Sequence, residues 1–88
     1  MNSKVFLNLE EIKRRFEGNF EILKAYNKAL MGNHVDRVFF IGLILEFELP
    51  NKLRDLMIKF LFDKSSVREA LVGNINLILF PPKEEEND

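Results

Sequence analysis

The chain has 88 residues, 47% of them hydrophobic, with no Cys, no Trp and a single His. That length is one domain; the missing Cys excludes disulfides, thiol chemistry and Cys-based zinc sites, and one His cannot build a multi-histidine metal centre. Thirteen basic residues face fourteen acidic ones; setting aside Lys83, Glu84, Glu85, Glu86 and Asp88 leaves 12 basic and 10 acidic groups over residues 1–80, too small an excess to draw in nucleic acid by field alone.

A chain this short buries only about 60–65% of its unfolded surface. Without disulfide staples, its stability has to come from apolar packing, completed by a partner where its own core falls short. Residues 1–80 read as a single domain, and the acidic stretch 81–88 as a disordered tail.

Met1–Leu9 carries one Lys and only short apolar runs, which does not fit a secretory leader. Asn8 then suits a helix cap, with Glu11 at the capping-box position, and Leu9, Ile12 and Phe16 share one helical face. The first helix is therefore expected from Leu9 to about Glu17. Gly18-Asn19 and Gly32-Asn33 pair a residue that tolerates a left-handed turn with one that caps the next helix. Between them, Phe20–Met31 reads as a second helix with Ile22, Leu23, Tyr26, Ala29 and Leu30 inward.

The segment His34–Leu49 is ambiguous. Asn33 and Asp36 can cap a helix, and the run Val38–Leu45 is apolar nearly all round, as in a central buried helix. Leu45, Phe47 and Leu49 also alternate with Glu46 and Glu48, which is a strand pattern. Helix is preferred, because the segment has no internal turn. Eight apolar residues are far short of the roughly 20 that cross a bilayer, so no membrane span and a cytoplasmic location are expected.

Pro50 suits the start of a fourth helix. Leu53, Leu56, Met57, Phe60 and Leu61 form its apolar stripe, while Ile58 and Phe62 fall on the other side. Ser66 and Glu69 fit a capping box for a fifth helix. Beyond the third Gly-Asn pair, Gly73-Asn74, the alternation of Ile75, Leu77 and Leu79 leaves a strand open. The expected fold is all-α: a compact bundle of four to five short helices built on Leu23, Phe39, Ile41, Leu45, Leu53, Leu56 and Phe60.

Catalytic constellations are poor. The hydroxyls are Ser3, Ser65, Ser66 and Tyr26, the lone His34 lacks an orienting partner in sequence, and no phosphate-binding Gly loop is present. Neither an enzyme nor a metal or other cofactor is expected. Lys13, Arg14 and Arg15 are the densest basic cluster, but on a helix they point about 100° apart and form no stripe.

One stretch bears on DNA. Leu49-Pro50-Asn51 through Ser65-Ser66-Val67-Arg68-Glu69-Ala70-Leu71 resembles the helix-turn-helix of GntR-type bacterial regulators. The resemblance implies a recognition helix at Ser66–Val72 that faces DNA with Lys64, Ser65, Ser66 and Arg68. It covers about a quarter of the chain, and Leu61-Phe62 and Met57 depart from the family's small residues.

The stronger feature is the second apolar side of the fourth helix. Ile58 and Phe62, one turn apart beside Lys59 and Asp63, have the form of an apolar centre with a charged rim. Ile58, Lys59 and Phe62 are therefore expected to bind a protein partner or a second copy. In size and composition, rich in Lys, Glu, Ile, Leu and Phe and ending Pro-Pro-Lys-Glu-Glu-Glu-Asn-Asp, the chain is similar to the small helical accessory subunits of crenarchaeal family-B DNA polymerases. That resemblance implies a non-catalytic subunit of a replication complex in a thermophilic archaeon, and assigns no residue a role.

Overall fold

The computed structural model describes residues 8–16 and 19–82. Five α-helices and no strand occur among them: α1 (Leu9–Arg15), α2 (Phe20–Met31), α3 (His34–Ile44), α4 (Asn51–Leu61) and α5 (Ser65–Leu79). The expected helical bundle is thus the fold.

α1 starts where its cap dictates. The Asn8 side-chain oxygen accepts from the N–H groups of Glu10 at 2.9 Å and Glu11 at 3.2 Å, filling two of the helix's open donors. The Glu11 carboxylate turns to Arg14 and to Arg15 at 3.5 Å, pairs on an exposed helix surface. The helix is shorter than expected, with Phe16 as its C-cap; Glu17 and Gly18 lie outside the described residues. Ile12 and Phe16 are buried.

α2 matches its pattern fully, burying Ile22, Leu23, Tyr26, Ala29 and Leu30. The turn after it works differently from the expectation. Gly32 is extended, with φ −87°, not left-handed. A side chain there is excluded by space instead: a Cβ would collide with the Asp36 carboxylate. That carboxylate accepts from the Asn33 N–H at 3.0 Å, and the Asn33 side chain accepts from the Asp36 N–H at 3.0 Å. This reciprocal capping box starts α3. Asn19, by contrast, makes no side-chain cap bond at the start of α2.

α3 corrects the sequence reading most. It ends at Ile44 rather than near Leu49, and a turn leads through Glu46 toward Pro50 with no strand. Nor is it the central helix. Only Phe40 and Ile44 are buried; Phe39 and Leu45, expected in the core, are 74% and 60% exposed. An apolar run on a helix covers every side, but a helix at the edge of a small bundle is covered on one. The centre belongs to α2 and α5, which pack most extensively on each other, with α1 also against α5.

α4 buries Leu53, Met57, Phe60 and Leu61, with Leu56 half-buried. α5 runs unbroken through Gly73, so the alternation of Ile75, Leu77 and Leu79 is not a strand: Leu71 and Ile75, one turn apart, are buried, and Leu77 is exposed. Ser66 lies inside this helix, which Lys64 precedes without a side-chain cap bond, so the expected Ser66–Glu69 box does not form the start.

Two polar links join the helices, one buried and one part-buried. The Tyr26 hydroxyl donates to the Met57 carbonyl oxygen at 2.8 Å, tying α2 to α4, and its ring lies 5.3 Å from that of Phe40. Burial pushes the Tyr26 phenol well above its ordinary pKa. The Asn27 side-chain amide donates to the Asn76 side-chain oxygen at 2.8 Å, tying α2 to α5. Of the expected disordered tail 81–88, residues 83–88 lie outside the described residues.

Candidate functional site

The three residues that the sequence assigned to an interface lie at the C-terminal end of α4. Phe62, its C-cap, is about half exposed, whereas Ile58 is half-buried. Lys59 pairs with Asp63 at 3.6 Å, and its ammonium lies 5.1 Å from the centre of the Phe60 ring. The two-sided character of α4 is thus carried mainly by Phe62.

Phe62 does not stand alone. Its ring lies 6.1 Å from that of His34, at the start of α3. From there an apolar face continues along the outer side of α3. Val35 is 70% exposed, Val38 49% and Phe39 74%, and Gly42 is exposed as well. Their spacing of three, one and three residues keeps them on one side of the helix, opposite the buried Phe40 and Ile44. Glu46, in the turn that follows, continues the same line. Exposed apolar side chains are ordinary when scattered; contiguous ones mark contact surfaces.

The relief of this face comes from two neighbouring features. Phe39 stands out as the largest side chain. Gly42, one turn later, supplies none, and among the described residues, its chain neighbours and own helix backbone aside, no atom lies within 4 Å of where its Cβ would be. The result is a depression of about 360 Å³ lined by Val38, Phe39, Gly42, Leu43 and Glu46. On the other flank of Phe39, a hollow between α2 and α3 has Lys28 and Asp36 among its lining residues.

Sequence reasoning placed Val38 and Phe39 inside because their run is apolar on all sides. A signal for the outer face was nonetheless present. Gly42 and Glu46 fall one helical turn apart on the line from Val35 through Phe39, and neither residue type fills a core.

The residues that a DNA-reading helix would use are also on the surface. Lys64, Ser65 and Ser66 are exposed at the start of α5, and the half-buried Arg68 donates from Nε to the Asp63 carbonyl oxygen at 3.2 Å. The outward side of α5 continues as Ser66, Glu69, Ala70 and Gly73.

No group of three or more His, Asp or Glu side chains positioned to hold a metal occurs among the described residues. No helix among them is long and apolar enough to cross a membrane. No protein-family model, curated protein or solved structure matches the chain.

Proposed function

We propose that the chain is a non-catalytic protein-binding module that works through the outer face of α3, with Phe39 as anchor and Phe62 at the margin. The observation that carries this reading is Phe39, a phenylalanine 74% exposed in the middle of a helix, with Val35 and Val38 exposed beside it. Large aromatic side chains presented on a firm element are the usual centres of binding energy. The occupant is a protein helix. It must bring a bulky apolar side chain for the depression at Gly42 and a positive group for Glu46. The interface moves from Ile58, Lys59 and Phe62, where the sequence placed it, toward α3, and keeps Phe62 as its edge. The resemblance to polymerase accessory subunits fits a binding role and names one partner to try, a family-B DNA polymerase.

A photo-crosslinker in place of Phe39, compared with one in place of the exposed Lys52 on α4, tests the reading in the cells that make the protein. Adducts of discrete mass from position 39, and none from position 52, are expected. Equal labelling from both positions, or none from position 39, would refute it.

A further inference from the structure

We infer that the helix seated on this face is α3 of a second copy, running antiparallel about a two-fold axis. The inference rests on the binding role proposed for the face and names its occupant.

A two-fold interface has to be complementary to itself: whatever protrudes on one side of the axis needs a recess at the matching place on the other. The outer face of α3 meets that condition within one helical turn. Phe39 protrudes, and Gly42 leaves the depression that Val38, Leu43 and Glu46 help to line. With the axis passing between them, Phe39 of each copy lies over Gly42 of the other, and two rings fill two recesses. A glycine in mid-helix weakens the helix. Nothing among the described residues requires one at position 42, because a Cβ there would meet open space. A neighbouring helix that approaches closely from outside is a physical reason for it.

Charge selects the direction. The register that sets Phe39 on Gly42 also sets Glu46 of one copy beside Val35, in the first turn of the other α3, where the helix dipole is positive. Lys28 adds a cation near that end, lining the hollow next to Phe39. The Asp36 carboxylate on the same side accepts from the Asn33 N–H and keeps its charge, with Lys28 lining the same hollow as its counter-charge. A parallel pair would instead set Glu46 against Glu46 and leave both rings without a recess. α3 is about 16 Å long, so its face buries less than a standard interface and the dimer should be weak.

Sedimentation equilibrium of the full chain from micromolar to millimolar concentration tests this, with melting temperatures measured at the dilute end, where the monomer dominates. Wild type should follow a monomer–dimer equilibrium. Gly42→Leu and Phe39→Ala should each raise the dissociation constant at least about tenfold. Gly42→Ala should weaken the dimer while raising the monomer's melting temperature, a pair of effects that misfolding cannot mimic. Glu46→Lys should weaken an antiparallel dimer. A tighter dimer in Glu46→Lys, a dimer indifferent to all three substitutions at positions 39 and 42, or a monomer at millimolar concentration would each overturn the inference. If the chain stays monomeric while position 39 still crosslinks to a different protein, the self-pairing falls and the binding role stands. If it stays monomeric and position 39 captures nothing, both fall.

Discussion

Two glycines on either side of the start of α3 carry opposite predictions. At Gly32 a Cβ would run into the Asp36 side chain, so Gly32→Ala displaces the carboxylate that caps α3. A loss of about 1–2 kcal/mol is expected, the usual cost of a disturbed cap, or roughly 4–8 °C of melting temperature per kcal/mol for a domain of this size. At Gly42 the space is open, and Gly42→Ala should stabilise the monomer by about 1 kcal/mol through helix propensity alone. Thermal melts of the two variants check both signs. Tyr26 carries a prediction in pH. Its folded pKa is raised by burial, so the folded state holds the phenolic proton at pH values where the unfolded chain releases it. Its contribution to stability is full below about pH 10, the unfolded value, and is lost as pH rises toward the folded one, at up to about 1.4 kcal/mol per pH unit. As the single tyrosine, it can be followed by tyrosinate absorbance. Tyr26→Phe should cost about 1 kcal/mol at neutral pH through the hydrogen bond to Met57. It should also flatten the alkaline fall in stability; an equally steep fall in the variant would show that other groups cause it.

Among elements, the Asn27–Asn76 bond holds α2 and α5 in one register. Asn27 is buried, so Asn76→Ala strands an amide away from water and should cost about 1–3 kcal/mol. Asn27→Leu with Asn76→Leu should cost less than the sum of the single changes, a coupling that a double-mutant cycle on denaturant unfolding measures directly. Neither residue could be paired from the sequence, because two asparagines on separate helices give no sign of meeting. What was legible followed local rules. The stripes of α2 and α4 and the caps Asn8 and Asn33 are written within one or two turns of chain. The misread parts depend on which helix another one covers. Val38–Leu45 fits a buried helix or an exposed one equally well, and the exposure of Phe39 is decided by α2 and α5 occupying the centre. Ile75, Leu77 and Leu79 alternate like a strand, yet no strand occurs among the described residues to pair with them, and the helix packs Leu71 and Ile75 together. The candidate site was missed for the same reason: Val35, Val38 and Phe39 are residues a core would use, and they outweighed Gly42 and Glu46 on the same line.

For the whole molecule, the arrangement is decided by α5. It packs on α2, α1 and α4, so the first two helices in the chain are completed by the fifth. The short α1 cannot persist alone, since isolated helices under about 12–15 residues are marginal in water. A fragment spanning residues 1–64 should accordingly show little helical signal by circular dichroism and no cooperative melt; a cooperative melt in that fragment would mean that α1 to α4 form a core of their own. The order of assembly has a consequence during synthesis. A ribosome releases the chain from its N-terminus onward, so α1 and α2 emerge with Ile12, Phe16, Ile22 and Leu30 uncovered and wait for α5 to be translated. Throughout that interval the nascent chain displays the sort of apolar surface that chaperones recognise.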